Sequence, residues 1–463
     1  MNGSDATTHY LYCDDVLHSK VEGLTNIAVP EGVDRFWKFG PHAIWTADNN
    51  TLTFTASTPL TIGGTFNGRT ISKVWEGFDV PANSQWYNEN TITENATTVV
   101  FDNEFARFRP TSCDNWFASF DKLTGFTNWS NLNTSQVTSM NNMFADCSSL
   151  TSLDLSTFDT QKVTSMNGMF KGCTGFSYFD LLPLNTENVT SSTGMFEGVD
   201  NSVFVYMNSP VASCIATDRS ENLVQKLGED GFTCDNCVLY DAKTLTLPYG
   251  FTAMDGVTYM RNIPANTGNA YTVFLPYERE VPEGTKVYTL RTDEQYLREE
   301  KKIVFEEVVS GIMEAYKPYL LSNLGSDITD FNTIFDTEVL SSTTMPDKPT
   351  IDDLQFTGTI RTIDNAEAAA MGAYIMQVGN KWKKVTTDKT TAYIPAYRAY
   401  IVSPTGNIKT WLSELELPDE TGIEAIETID RDGTRTIYDL SGRRLNKTQR
   451  GINIVNGRKV VIK

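Results

Sequence analysis

Apolar residues recur at a fixed interval in one part of this 463-residue chain. The segment VTSMNNMF at 137–144 returns as VTSMNGMF at 163–170 and as VTSSTGMF at 189–196, each time after 26 residues. A divergent copy, PTSCDNWF at 110–117, precedes them with a step of 27. Flanking positions keep the 26-residue step, namely Leu132, Phe158 and Leu184, and also Thr134, Thr160 and Thr186. Four copies in register predict a tandem array in which each unit is one structural module.

The spacing of apolar residues changes within each unit. Steps of three, four and three residues separate Val137, Met140, Phe144 and Cys147. These steps predict one face of a short helix. The alternation of leucine and aspartate at 153–155 predicts a short strand. A unit of this size cannot bury its apolar side alone, so the units are expected to stack into a solenoid over residues 110–210.

Side chains next to the buried strand leucines are predicted to lie on the concave side of the array. They are Asn128 and Ser130 in one unit, Ser152, Asp154 and Ser156 in the next, and Tyr178, Asp180 and Leu182 in the third. Hydroxyl, carboxylate and aromatic groups in one strip can hydrogen-bond a protein or a glycan, so this strip is the candidate ligand-binding site. The alternative is that the aspartates only belong to the repeat consensus. Trp86 could stack on a sugar, although packing in a core is the interpretation we favour.

Between residues 238 and 420 the helical period is almost absent and strand patterns take its place. Strands are predicted at 244–247, 271–275, 286–290, 302–307, 319–321, 356–360, 374–378 and 400–402. Turn residues separate several of them, which predicts a β-sandwich. A second echo, AYKPYLLS at 315–322 and AYRAYIVS at 396–403, has a step of 81 and suggests two related halves. The tail has the pattern of two hairpins, at 437–445 and 451–463.

The charge balance narrows the class of partner. The chain has 38 basic and 58 acidic residues and a formal net charge of −20, which disfavours nucleic acids and anionic lipid surfaces. No run of 18 apolar residues occurs, so no membrane-spanning segment is predicted. The first residues lack the basic and apolar regions of a signal peptide. The protein is therefore either cytosolic or its signal segment precedes this sequence.

The chain has seven cysteines, so at least one has no partner within it. Cys214 could form a disulfide with Cys234 or Cys237, or all three could be free thiols. Zinc is disfavoured because neither a second CxxC nor a nearby histidine completes the ligand set. Cys147 and Cys173 occupy core positions of the repeat and are predicted to be small buried hydrophobes.

Residue patterns of catalysis are missing from the sequence. Only three histidines occur, all in the first tenth of the chain, and none of the HExxH, GxSxG and P-loop patterns is present. The aspartate-rich segment 326–338 lacks the spacing and the glycine of a calcium-binding EF-hand loop. We therefore predict no catalytic residue, no metal and no cofactor, and we do not expect an enzyme.

Two stretches resemble a known family. NTSQVTSMNNMFADCSSLTSLDLS and DTQKVTSMNGMFKGC are similar to the BspA-type leucine-rich-repeat surface proteins of Bacteroidetes and other host-associated bacteria. Residues 97–117 and 43–55 resemble that family's entry into the array and its N-terminal β-cap. The tail is similar to the C-terminal sorting domain of the type IX secretion system. The resemblance implies an extracellular or cell-surface adhesin whose repeats bind host extracellular-matrix proteins or bacterial surface proteins.

The predicted fold class is α+β, mostly β, with a short leucine-rich-repeat solenoid between β-caps, followed by β-sandwich domains. The predicted domains are an N-terminal cap at 1–109, the solenoid at 110–210, its C-terminal cap at 211–237, the β-sandwich region at 238–420 and the sorting-like module at 421–463. Two alternatives to the adhesin stay open. In one, the β-sandwich region binds polysaccharide and the repeats are spacers; in the other, the protein is a structural cell-surface stalk.

Overall fold

The computed structural model describes residues 41–403, except for 57–59, 77–85, 230, 266, 292–301, 329–330, 334–335, 343–349 and 352–353, and outside that range only the backbone of strands. The chain is mostly β. Strands up to residue 127 are β1 (Thr8–Cys13), β2 (Val16–Glu22), β3 (Trp37–Phe39), β4 (His42–Thr46), β5 (Thr51–Thr55), β6 (Thr65–Phe66), β7 (Arg69–Thr70), β8 (Lys73–Glu76), β9 (Thr98–Phe101) and β10 (Gly125–Thr127). The α-helices are α1 (Asn90–Thr93), α2 (Ser213–Asp218) and α3 (Asn365–Ala370). Among the described residues no helix has the length and apolar character needed to cross a membrane.

The later strands fall into three groups along the chain. The first group is β11 (Tyr178–Asp180), β12 (Phe204–Asn208), β13 (Leu223–Lys226), β14 (Phe232–Cys234), β15 (Cys237–Tyr240), β16 (Phe251–Ala253) and β17 (Val257–Met260). The second is β18 (Ala270–Val273), β19 (Arg279–Glu280), β20 (Thr285–Leu290), β21 (Lys302–Glu307), β22 (Ile312–Met313), β23 (Tyr319–Asn323), β24 (Thr337–Val339), β25 (Thr350–Ile351), β26 (Leu354–Thr359), β27 (Ala373–Gln377), β28 (Lys381–Lys384), β29 (Arg398–Val402) and β30 (Thr410–Glu416). The third is β31 (Ile437–Tyr438), β32 (Arg444–Leu445), β33 (Gly451–Val455) and β34 (Arg458–Ile462).

The N-terminal part and the repeats share one sheet and one core. The sheet has the order β10-β9-β5-β4-β8, in which β5, β9 and β10 are parallel. A single apolar cluster runs from Ala43 to Leu223. Trp86 lies fully buried in it and donates from Nε1 to the carbonyl oxygen of Trp116 at 2.5 Å. Trp86 therefore packs in the core.

The repeat units contain turns where the apolar spacing predicted a short helix, so that prediction is wrong. Every second amide donates to the carbonyl three residues earlier and so closes a four-residue turn, as the amide of Met143 does to Met140. The residues between them donate to the next unit instead, as the amide of Met140 does to Ser165 at 2.9 Å. Asn142 has a left-handed φ of 52°. These left-handed positions reset the chain direction, and the resulting turns reproduce helical spacing without a helix.

Side chains continue these contacts from unit to unit. Asp114, Asn141 and Asn167 form what we call the Asx column. In each case the Oδ1 atom accepts from a serine hydroxyl and a backbone amide of the following unit, and for Asn167 the donors are Ser191 and Thr193, both at 2.7 Å. The column therefore satisfies backbone groups that a turn leaves unpaired.

Threonine hydroxyls form a second column at the positions that keep the 26-residue step, Thr134, Thr160 and Thr186. The hydroxyl of Thr160 donates to the carbonyl of Asn185 and accepts from its amide, both at 2.8 Å. All three threonines are buried. Cys147 and Cys173 are buried as well, and their thiols donate to carbonyls of the preceding unit. The prediction that both are core residues is confirmed.

Stacked phenylalanine rings form the centre of the repeat core. Neighbouring rings lie 5.7, 5.6 and 6.0 Å apart in the series Phe117, Phe144, Phe170 and Phe196. Each of these rings would be exposed on an isolated unit. Burial of a phenylalanine contributes about 1.5–3 kcal/mol, so the apolar side favours stacking strongly.

The repeats continue into the β-rich region through a six-stranded sheet of order β11-β12-β13-β14-β16-β24. Tyr178 pairs in parallel with Phe204, which is again 26 residues further on. Asp218, at the end of α2, accepts the amides of Gly194 and Phe196 of the last unit. Arg219 is buried and donates to the carbonyls of Asp200, Asn201 and Val203. Residues after 210 thus close the end of the array.

The β-rich region forms a ten-stranded sheet of order β18-β23-β20-β21-β30-β28-β27-β29-β26-β25. The strands β18, β20, β21 and β23 pair in the order first, fourth, second, third, and β26–β29 pair in the same order with the same antiparallel directions. The echoed tyrosines Tyr316 and Tyr397 both have a left-handed φ, of 54° and 61°. Each donates its amide at 2.7 Å, to Leu275 and Thr359 respectively. Both halves therefore share topology and a strained turn.

Other sequence predictions have mixed outcomes. The strand expected at 244–247 is absent, and the other seven predicted strands between 271 and 402 are present. In the tail, β31 pairs with β32 and β33 with β34, all antiparallel; the turns at Ser441-Gly442 and Asn456-Gly457 lie outside the described residues. Cys214, Cys234 and Cys237 are free thiols, so of the two alternatives the structure has the one without a disulfide.

We expect Asn167→Ala to lower the free energy of unfolding by about 0.5–1.5 kcal/mol, because it removes two hydrogen bonds to the next unit, one from the partly buried Ser191 hydroxyl and one from the exposed Thr193 amide. Urea denaturation of the full chain measures this change. The matched control is Asn188→Ala, which removes one exposed hydrogen bond to Gln161 and should change stability by less than about 0.5 kcal/mol. Equal losses in the two variants would show that the Asx column does not stabilise the array.

A second contact between the repeats and the β-rich region is the ion pair of Asp200 with Lys243, at 2.5 Å. Burial raises the pKa of Asp200, but hydrogen bonds from Lys243 and Ser202 outweigh it and lower the pKa to about 2. A carboxyl with a lowered pKa stabilises the fold above its ordinary pKa. That contribution is lost as the pH falls through the folded value, so the acid-sensitive window lies between about pH 4 and pH 2.

We predict that Lys243→Met raises the pKa of Asp200 and reduces the loss of stability between pH 4 and pH 2. Carboxyl titration by NMR measures the first effect and thermal unfolding at both pH values the second. Lys317→Met, which breaks the exposed pair with Glu314, should leave the Asp200 titration unchanged. An unchanged pKa in Lys243→Met would refute the assignment.

Candidate functional site

A small recess lies on the predicted concave side of the repeats. Its volume is about 50 Å³. It is lined by Thr151, Ser152, Leu153, Phe170, Phe176, Tyr178, Phe179, Asp180 and Leu181. Three residues of the predicted binding strip, Ser152, Tyr178 and Asp180, therefore meet around one depression. We call it the repeat recess.

The recess lies where the ladder of parallel strands is interrupted. Strand β10 ends at Thr127 and the next paired strand of the array is β11, two units further on. Residues 151–155, between them, form no strand in the structure, although a strand was predicted at 153–155. Asp154 instead accepts the amide of Ser156 at 2.9 Å, which closes a local turn. Hydrogen bonds from Ser156 lower the pKa of Asp154.

An aromatic wall from outside the repeats borders Asp180. The Tyr249 hydroxyl lies 3.5 Å from Asp180 Oδ2, and its ring stacks on Phe232 with centroids 4.9 Å apart. The negative charge of Asp180 raises the pKa of Tyr249, and burial adds to the shift. The Tyr206 hydroxyl donates to the Tyr249 carbonyl at 3.0 Å, which holds this segment in place.

The other predicted residues lie apart from the recess. Asn128 is exposed and follows β10 in a left-handed conformation, with φ of 54°, so it lies in a turn. Ser130 lies in the short 3-10 helix that comes next. Ser156 is engaged with Asp154, and Leu182 is half-buried, with its carbonyl accepting from Asn208 at 2.5 Å. The structure thus brings together Ser152, Tyr178 and Asp180 and leaves the rest of the strip outside.

Sequence reasoning missed Tyr249 and Phe232, because neither belongs to the repeat. Tyr249 lies 69 residues after Asp180, and no periodic pattern connects them. The only local signal was an aromatic next to a glycine, in the segment LPYGF at 247–251. Together the recess and its wall offer a carboxylate, hydroxyls and ring faces. Such groups can hydrogen-bond and stack on a ligand.

Comparisons with known proteins place the similarity in the repeats. A family model described as "Mycoplasma protein of unknown function, DUF285" matches residues 94–206. This match spans the repeat units and less than a third of the chain. No curated protein and no solved structure matches the chain. The recess residues Ser152, Tyr178 and Asp180 lie inside the matched segment, whereas Tyr249 lies outside it.

The described ranges contain no candidate metal site. In them, no three histidine, cysteine, aspartate or glutamate side chains come together in a way that could hold a metal ion. In the same part of the chain, Cys234 and Cys237 are both buried in the second apolar cluster. Burial raises the pKa of the Cys237 thiol.

We expect Asp180→Asn to lower the pKa of Tyr249, because the change removes the negative charge that disfavours the phenolate. The ultraviolet difference spectrum of tyrosine ionisation, or NMR of labelled tyrosine rings, measures the shift. Asp154→Asn is the control, since Asp154 bonds Ser156 and does not raise the pKa of Tyr249. A Tyr249 titration that is the same in Asp180→Asn and in the unaltered protein would contradict the contact.

Proposed function

We propose that the chain is a secreted or cell-surface binding protein of the BspA-like leucine-rich-repeat type. It recognises a host extracellular-matrix protein or a bacterial surface protein through the repeat recess and its aromatic wall, and it is not an enzyme. The observation that carries the proposal is the convergence of Ser152, Tyr178 and Asp180 on one depression of the repeats, with the Tyr249 hydroxyl next to Asp180.

The arrangement suits protein recognition because the scaffold behind the recess is rigid. Bonded columns and stacked rings fix each unit to the next, so little side-chain and backbone freedom is lost on binding. Tyrosines on such a surface give contact area together with a hydrogen-bonding group, as is typical of binding sites. The recess itself is too small for a drug-sized molecule, since it holds about 50 Å³. We therefore infer a partner that lays a surface over it and inserts one side chain.

The negative charge on this side of the array indicates a positively charged partner surface. Asp154 and Asp180 lie on this side of the array, in a chain of net charge −20. A complementary partner carries basic residues, which raises the association rate at low salt. An arginine or lysine side chain is then the natural group to enter the recess beside Asp180, where Tyr178 and Tyr249 supply ring faces.

Binding of the full chain to a panel of extracellular-matrix proteins and bacterial surface proteins, measured by biolayer interferometry, tests the proposal. We expect Ser152→Arg to weaken binding by roughly tenfold or more, because a bulky cation fills an exposed position at the recess and repels a basic partner. The matched control is Thr190→Arg, at an exposed position on the opposite half of a unit, outside the recess lining. It should bind as the unaltered protein does.

Two results contradict the proposal. In the first, neither a matrix protein nor a bacterial surface protein binds the unaltered chain, which favours a structural stalk. In the second, Ser152→Arg and Thr190→Arg bind equally well, which moves the binding surface away from the recess.

A further inference from the structure

A larger cavity lies in the β-rich region, where the two related halves of the ten-stranded sheet meet. Strand β18 of the first half approaches β29 of the second, and the amide of Phe274 donates to the carbonyl of Tyr397 at 3.2 Å. The cavity holds about 210 Å³. It is lined by Arg261, Ala270, Tyr271, Thr272, Ile375, Met376, Tyr393, Ile394, Pro395, Arg398 and Ala399. We call it the seam cavity.

Two arginines lie in its wall, in different electrostatic situations. Arg398 forms a bidentate ion pair with Asp241, at 2.6 and 2.8 Å, and also donates to the Tyr259 hydroxyl at 3.2 Å. Arg261 is 7 % exposed and donates from Nη1 to the carbonyl of Thr272 at 2.7 Å. Among the described residues no carboxylate lies within ion-pair distance of Arg261, and none lines the cavity.

This leaves a buried positive charge next to a space that solutes can enter. An arginine keeps its charge in proteins, and a buried charge is costly unless an opposite charge compensates it. Asp241 pairs with Arg398 and its charge also acts on Arg261, so the three groups together have an excess of one positive charge. The whole chain has a net charge of −20, so a cavity wall with two arginines and no acid is a local exception. The cavity therefore favours an anion.

The remaining lining favours a sugar ring over a bare ion. Tyr393 is exposed at the rim and Tyr271 is half-buried, and the faces of such rings stack on the apolar side of a pyranose. Ile375 and Met376 add an apolar wall. The volume of about 210 Å³ lies below the ~300 Å³ at which pockets for drug-sized ligands begin, which suits one ring.

We propose that the seam cavity binds a sugar residue that carries a carboxylate, within an acidic saccharide. The carboxylate pairs with the Arg261 guanidinium, and the ring lies against Tyr393. The site is separate from the repeat recess and does not depend on the function proposed for it.

Sodium D-glucuronate is the probe, with D-glucose as its uncharged counterpart, and binding to the full chain is measured by calorimetry and saturation-transfer NMR. We expect glucuronate to bind and glucose to bind at least roughly tenfold more weakly, since charge-assisted hydrogen bonds carry the interaction. Arg261→Gln should weaken glucuronate binding by roughly tenfold or more. Tyr393→Ala, at an exposed position on the rim, should weaken it by several-fold.

The matched control is Arg361→Gln, which removes an exposed arginine of the same region that pairs with Glu367 and does not line the cavity. It should bind glucuronate as the unaltered chain does. Equal affinity for glucuronate and glucose, or unchanged binding in both Arg261→Gln and Tyr393→Ala, would overturn the proposal. N-acetylglycine, a model of a peptide carboxyl terminus, is the competing ligand. If N-acetylglycine binds more tightly than glucuronate and its affinity is unchanged in Tyr393→Ala, the site is one for peptides and the proposal is wrong.

Discussion

The architecture of the repeats depends on hydrogen bonds between units. In the turns, every second amide has its acceptor in the next unit, as the amide of Phe144 has in Met169 at 3.0 Å. The Asx column accepts other amides of the same turns, such as that of Asn141, through side-chain oxygens. A unit without a neighbour would therefore leave both polar backbone and apolar rings unsatisfied, which explains why the array is closed at each end. Strands β9 and β5 close one end, and Asp218 with Arg219 closes the other.

The same constraint produces the candidate site. Residues 151–155 of one unit form no strand, so the ladder of strands has a gap there, and side chains of this unit and the next surround it. The columns of hydrogen bonds continue through the units on both sides of this gap. Residues from beyond the array then complete the repeat recess, since Tyr249 is positioned by Tyr206 and Phe232 in the sheet that continues the repeats.

The β-rich region is built on strand pairing within one large sheet, not on hydrogen bonds between repeated turns. Two halves of equal topology are joined through β30. The edge strand β18 pairs with β23 and also approaches β29. Arginine side chains occupy this seam: Arg261 satisfies a carbonyl of β18, and Arg398 joins β29 to Asp241. These bonds hold both guanidinium groups in the wall of the seam cavity.

The sequence by itself determined the step of 26, the mostly β character, the buried Cys147 and Cys173, and the strands between 271 and 402. These follow from local periodicity, because stacking places equivalent residues in equivalent surroundings. The helix predicted from Val137 to Cys147 was wrong because four-residue turns and helices share the same apolar spacing, and only the partner of each amide distinguishes them. Tertiary structure alone decided that Tyr249 lies next to Asp180 and that, in the described part of the chain, Arg261 forms no ion pair with a carboxylate. Such contacts join residues far apart in the chain, and no local pattern encodes them.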